Sequence, residues 1–332
     1  MTNAERIQAN NAELREAIEI AENLPDAGSS EETMETITGA VAMGTLAEVK
    51  STEATKVTEY AFYSQSKLVS VDLPNITEIE GNAFFGCSSL ASVNIPKVTI
   101  MGTNAFRNCS SLVSVDMPLC SELTTRGQYA FYGCASLTEV NMPLLPIIGA
   151  YMFNTCKKLA SIDCPLATEV GSSAFNQNNA LKSANLPMVT KVENYAFQYC
   201  YALTTACFNS LKTVGQYALA NCKVEIFDSP FESISASAFA TNPCLKALVI
   251  RNTSTVCTLA KTNAFSGCYR FLGTVNSAYN PNGLLGYIYV PSALIDSYKT
   301  ATNWTTYASQ FRALEDYTVD GTVTGALDES KI

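Results

Sequence analysis

Histidine is absent from all 332 residues. With it go the commonest general base, the Ser-His and Cys-His nucleophile pairs, and every imidazole metal site. No Cys-x-x-Cys pair occurs among the twelve cysteines, which removes the usual zinc and redox spacings, and no glycine-rich phosphate loop is written anywhere. Charge is scarce, since Asp, Glu, Lys and Arg make up 15% of the chain. The net charge of −9 sits mainly at the ends: residues 1–35 hold nine acids and two bases, and residues 315–332 five acids and one base. A near-neutral body gives no electrostatic footprint for nucleic acid. Residues 1–24 carry Glu or Arg in every turn and no apolar centre, so neither a signal peptide nor a membrane-inserting segment is expected there, and the expectation is of no export address.

What the chain has is apolar residues, 47% of the total, arranged in a repeated sentence. Ala83-Phe84-Phe85-Gly86-Cys87-Ser88-Ser89-Leu90 is followed by Ala105-Phe106-Arg107-Asn108-Cys109-Ser110-Ser111-Leu112. With the Phe as marker, the series runs Phe62, Phe84, Phe106, Phe131, Phe153, Phe175, Phe197, Leu219, Phe239, Phe265, mostly 22 residues apart. A fixed period of this size predicts a solenoid. In each coil, Leu-x-x-Val-x-Leu-Pro (Leu68, Val71, Leu73, Pro74) alternates apolar and polar positions and so predicts a short strand stopped by proline. A second apolar pair, such as Ile76 and Ile79, predicts a second short strand, and Ala-Phe-x-x-Cys a helical turn. Equivalent side chains then stack in parallel ladders about 4.8 Å apart. The step of 25 before Phe131 places an insertion in Leu119–Gln128, expected to bulge outward and leave the ladder intact.

The sentence resembles that of the BspA-like bacterial leucine-rich repeats, close to Leu-x-x-Val-x-Leu-Pro…Ile-Gly-x-x-Ala-Phe-x-x-Cys, over roughly residues 56–270. The resemblance implies a right-handed, curved leucine-rich-repeat solenoid and, for the family, surface-displayed binding to proteins or glycans, with no catalytic residue set. The expected fold is therefore an array of about ten 22-residue coils of short parallel strands and short helical turns. An amphipathic helix (1–24), a linker and N-terminal cap (25–55), a capping coil and helix (271–314) and an acidic tail or hairpin (315–332) complete it. The ending Tyr287-Ile288-Tyr289-Val290-Pro291, with Asn303-Trp304, looks like the terminal coil of such arrays in gut bacteria and their prophages. An exposed last coil needs such a cap.

Seven cysteines (Cys87, Cys109, Cys134, Cys156, Cys200, Cys222, Cys268) stand three residues after the marker, where Asn178 and Asn242 also occur. Interchange with Asn predicts a slot for a small polar side chain bonded to turn backbone, rather than a disulfide or thiolate metal site. Cys244 and Cys257 are the one pair worth checking for a bridge. No metal and no cofactor is expected.

Two features point to binding. An outward strand position reads Asp72, Asn94, Asp116, Asn141, Asp163, Asn185, a strict alternation in which each Asn is placed to donate to the Asp on either side. That strip, with Ser92 and Ser114 among the serines beside it, reads either as a solvated hydrogen-bonded ladder or as a polar docking face. Just before the marker lie Tyr129, Tyr151, Tyr195 and Tyr217, either cover for the edge of the core or an aromatic rim for an interface or a sugar. The expected function is a non-enzymatic binding or adhesion module for a protein or glycan, at the cell surface by resemblance. The alternative is a structural or receptor-binding component of a phage or prophage tail, in the virion, oligomerising through residues 1–24.

Overall fold

The computed structural model describes residues 36–37 and 47–316. The expected N-terminal helix, most of the 25–55 segment and all but the first two residues of the 315–332 tail lie outside the described residues.

Among the described residues, two columns of short parallel strands run the length of a solenoid of about twelve turns. The first column holds Glu48–Lys50, Ser70–Asp72, Ser92–Asn94, Ser114–Asp116, Glu139–Asn141, Ser161–Asp163, Ser183–Asn185, Thr205–Cys207, Ile226–Ser229, Ala247–Ile250, Tyr287–Val290 and Phe311–Ala313. The last two are the coils beyond the expected ten, and they lack the marker. The second column consists of two-residue strands, from Thr36–Ile37 and Lys56–Val57 to Ser233–Ile234 and Thr258–Leu259. Pairing keeps equivalent residues in register, as in Ser70 with Ser92, Ser161 with Ser183, and Val170 with Val192. The alternation seen in the sequence explains the core. Leu68, Leu90, Leu112, Leu137, Leu159, Leu181 and Leu203 are fully buried, while the residues between them and the next inward position face out. Cys120 and Cys164 sit in aliphatic slots of this core and act as small hydrophobes.

The marker segment forms a third ladder rather than the expected helical turn. Phe62 N–H donates to Ala83 C=O at 2.7 Å and Phe84 N–H to Ala105 C=O at 2.8 Å, while the intervening N–H groups bond within the turn, as Cys87 does to Phe84 at 3.2 Å. Such alternation needs left-handed residues two before and two after the marker, and the chain puts them there, at Tyr129 (φ 56°), Gly133 (φ 76°), Tyr151 (φ 57°) and Thr155 (φ 60°). Seven phenylalanine rings from Phe62 to Phe197 stack at 4.9–5.5 Å, tilted by no more than 13°. Each such contact adds about 0.5–1.5 kcal/mol beyond burial.

The insertion departs from expectation. Its Thr124–Gly127 turn, left-handed at Thr125 and Arg126, does leave the phenylalanine stack and the first column whole, because Phe131 still lies 5.5 Å from Phe106 and Glu139 pairs with Ser114. The second column, however, lapses. Glu122–Leu123 pairs back to Ile100–Met101, and the column resumes with a single bridge from Ile148 to Val170. The Arg126 carbonyl lies so close to Gly149 that a Cβ there would collide with it, just as a Cβ at Gly102, Gly171 or Gly215, the same place in other coils, would collide with the backbone of the coil before. Arg126 then reaches Glu169, 43 residues on, at 2.7 Å.

The far end is closed by a short helix, Ile295–Thr300, and a turn carrying Trp304 and Tyr307. Trp304 and Tyr307 pack on Phe265, and Tyr307 also on Phe271; Tyr298 and Phe311 pack on Trp304 behind them, and the polar tips of the tyrosines and the tryptophan bond the backbone of the last regular coil. Cys257 N–H donates to Tyr298 Oη at 2.8 Å, Trp304 Nε1 to Cys257 C=O at 2.6 Å, Asn303 Nδ2 to Leu259 C=O at 2.7 Å, and Tyr307 Oη to Thr262 C=O. Side chains thus replace both the N–H and the C=O groups that a further coil would bring.

Candidate binding surface

The cysteine column is structural. Each thiol donates to the marker carbonyl of the preceding coil, from Cys87 to Phe62 at 3.0 Å through Cys156 to Phe131 at 3.2 Å to Cys268 to Phe239 at 3.0 Å. Asn242 makes the same bond to Leu219 at 2.6 Å, whereas the fully buried Asn178 amide finds no partner among the described residues. All twelve cysteines are free thiols, Cys244 and Cys257 included, and Cys207 and Cys244 alone are not buried. Burial pushes Cys120, Cys164 and Cys268 up to about 12, away from the reactive thiolate.

The Asp–Asn strip lies on the outward face of the first column, exposed from Asn94 to Asn185, with Ser92 and Ser114 beside it. Its hydrogen bonding differs from the expected continuous chain. Asn94 donates to Asp72 at 2.7 Å, Asn141 to Asp116 at 2.6 Å and Asn185 to Asp163 at 2.8 Å, so each amide serves the Asp before it and not the Asp after. The sheet follows the same grouping. Strands 92–94 and 114–116 are not paired, nor are 139–141 and 161–163, which separates each Asn from the following Asp. Asp carboxylates two coils apart are thereby isolated within discrete Asp–Asn units.

The tyrosines fall into two stacked pairs, Tyr129 with Tyr151 at 4.7 Å and Tyr195 with Tyr217 at 5.6 Å, separated by Ser173. All four are half-buried and left-handed. Arg107 is drawn into the rim, its guanidinium 4.8 Å from the Tyr129 ring, 4.9 Å from Tyr132 and 5.5 Å from Phe85. On the second column, Lys191 bridges Glu169 at 3.3 Å and Glu193 at 2.7 Å, and Lys56 bridges Glu78 and Glu80. Donating to those carboxylates, Glu193 first, raises the Lys191 ammonium above its ordinary value.

One surface feature escaped the reading of the sequence. The residue after the strand-ending proline is Leu119, Leu144, Leu166 and Met188 in four consecutive coils, and each is about half exposed. The signal was present as Pro-Leu, Pro-Leu, Pro-Leu, Pro-Met at a fixed place in the repeat. Three residues before each stands a member of the strip, from Asp116 to Asn185, so the same four coils carry a polar row and an apolar row.

A family model described as a BspA type leucine rich repeat region matches in six copies, over residues 55–182, 127–246 and 168–280. The chain belongs to that family. As a BspA type array it is similar in fold to a leucine-rich repeat protein from Bacteroides ovatus ATCC 8483, 17% identical over 80% of this chain and 82% of that one, with a TM-score of 0.40. A leucine rich cell surface protein from Faecalibacterium prausnitzii A2-165 is 19% identical over 81% and 90% of the two chains, with a TM-score of 0.39. The pneumococcal vaccine antigen PcpA is 15% identical over 81% and 84%, with a TM-score of 0.33. No curated protein matches the chain. Among the described residues, no helix is long and apolar enough to cross a membrane, and no group of three or more Cys, Asp or Glu is placed to hold a metal ion.

Proposed function

We propose that this BspA type array is a non-enzymatic binding module, displayed at the cell surface, that takes a protein or glycan partner across the outward face of its first strand column. The observation that carries this reading is the pairing of two rows over the coils of Asp116 to Met188. Asp–Asn units of fixed geometry stand beside four exposed aliphatic side chains, on a backbone whose registration is set by the buried ladders. Exposed apolar rows flanked by polar residues mark interaction surfaces, and a preorganised face lowers the entropic cost of association.

The test is a double substitution, Asp116→Lys with Asp163→Lys, assayed by surface plasmon resonance against a panel of extracellular proteins and glycans. Affinity for a cognate partner should fall by at least tenfold, while the melting temperature holds within a degree or two, because exposed charged groups contribute about 0–1 kcal/mol to stability. Unchanged affinity for every partner found moves the site off this face.

A further inference from the structure

At the irregular end of the array the same corner of four successive coils opens into a cleft of about 260 Å³. The corner is the position four residues after the marker. In the first four coils it holds the small residues Ser66, Ser88, Ser110 and Ala135, with Ser110 Oγ donating to Ser88 C=O at 3.2 Å and Ser136 N–H to Ser110 C=O at 3.1 Å. From the fifth coil it changes character, to Lys157, Asn179, Tyr201, Lys223, Pro243 and Tyr269. Tyr201, Tyr269, Lys223, Asn221 and Thr241 line the cleft, and Tyr279 completes it from a loop that leaves the solenoid after Phe271.

That loop is built to hold its shape. Buried Asn280 donates to the carbonyls of Tyr269, Thr274 and Leu284 at 3.0–3.2 Å and accepts from Leu284 N–H at 2.9 Å. Asn276 Oδ1 accepts from Ala278 and Tyr279 N–H at 3.0 and 3.1 Å, which fixes the backbone of Tyr279 beside the cleft. Tyr201 and Tyr279 expose about half of their surface, and Lys223, Lys157, Lys158 and Lys182 are all exposed and enter no ion pair among the described residues. Lys223 and Lys157 occupy the same corner three coils apart, roughly 14 Å at the strand spacing. Glu225, the nearest acid in sequence to Lys223, is bound to Lys246 at 3.1 Å.

Tyrosine rings offer flat apolar faces with a polar edge, and the amide and hydroxyl groups between them offer hydrogen bonds to a ligand that is apolar on its faces and polar round its rim. A volume just below the roughly 300–1,000 Å³ of drug-sized pockets suits one or two sugar rings. Lys223 in the cleft, with Lys157 on the same corner, adds a requirement for negative charge. We infer that the cleft is a binding site for an acidic saccharide chain, one ring lying among Tyr201, Tyr269 and Tyr279 with its carboxylate on Lys223, and the chain running along the corner past Asn179 towards Lys157. This rests on the reading of the array as a binding module and places a glycan site on a different corner from the Asp–Asn strip.

The experiment is isothermal titration of the full chain with a tetrasaccharide of alternating glucuronic acid and N-acetylglucosamine, beside a neutral tetrasaccharide of N-acetylglucosamine and a tetraglutamate peptide. The acidic sugar should bind about tenfold or more tighter than either control, and the binding should weaken as salt is raised from about 0.05 to 0.5 M. Tyr201→Ala and Lys223→Gln should each cost about fivefold or more with an unchanged melting temperature, and Tyr201, a half-exposed ring, carries the test if Tyr279→Ala proves to loosen the loop. Equal binding of the neutral sugar or the peptide, or unchanged binding by Tyr201→Ala, overturns the site. If the tetrasaccharide fails while a protein partner is lost on Asp116→Lys with Asp163→Lys, the cleft is wrong and the binding module stands.

Discussion

Position 178 is the weak place in the cysteine column, since its buried amide has no partner where its neighbours' thiols bond a carbonyl. An unsatisfied buried polar group costs about 1–3 kcal/mol. Asn178→Cys should therefore stabilise the chain and raise its melting temperature by a few degrees in calorimetry, with Asn178→Ser giving a smaller gain. The thiols themselves set an alkaline limit. Burial holds Cys109, Cys134, Cys156, Cys200, Cys222 and Cys257, with the three near 12, protonated at pH values where an unfolded thiol, at about 8.5, has ionised. The folded state then binds more protons than the unfolded one, so stability falls as pH rises above about 8.5, by about 1.4 kcal/mol per pH unit for each such thiol. Melting temperatures at pH 7.5 and 10 check this, with a steep fall expected. In the same preparation a thiol reagent should titrate Cys207 and Cys244 in the native chain and the other ten cysteines after denaturation.

Among the elements, the turn into the marker is where local chemistry decides most, because the glycine four residues before it lies against the backbone of the coil before. A Cβ at Gly149 would strike the Arg126 carbonyl, whereas one at Gly81 would meet nothing nearer than 3.4 Å. Gly149→Ala should lower stability by about 1–3 kcal/mol, the usual cost of overpacking, and Gly81→Ala should be close to neutral; urea unfolding of the pair measures the difference. The strand ladders were legible in the sequence because burying one face of a two-residue period fixes both element and register. The marker turn was not, because Ala-Phe-x-x-Cys has helical spacing and nothing in Tyr129 or Thr155 announces a left-handed backbone, which tertiary stacking imposes. The Asp–Asn strip was found but its one-sided bonding was hidden, since that depends on where the sheet lapses between strands. The apolar row and the tyrosine cleft were missed for opposite reasons, the first written in the repeat and overlooked, the second assembled from irregular coils and a loop with no period to follow.

For the molecule as a whole, the aromatic cap does the work of a missing coil. Trp304 is fully buried and bonds the Cys257 carbonyl, so Trp304→Ala should cost about 3–5 kcal/mol and bare the end of the core. Calorimetry should show the loss, and light scattering should show a larger mass for the variant than for the parent chain at equal concentration. The interruptions in the two strand columns carry a wider consequence. The first column lapses between 92–94 and 114–116, between 139–141 and 161–163, and between 205–207 and 226–229; at the first and third of these levels the second column has paired strands and at the middle one the single Ile148–Val170 bridge, and where the second lapses, between Leu123 and Ile148, the first is paired. The joints are offset as in a brick wall, so among the described residues no plane crosses the rod where both courses stop. Pulled from its two ends, such an array has no seam at which to part, and resists as one piece.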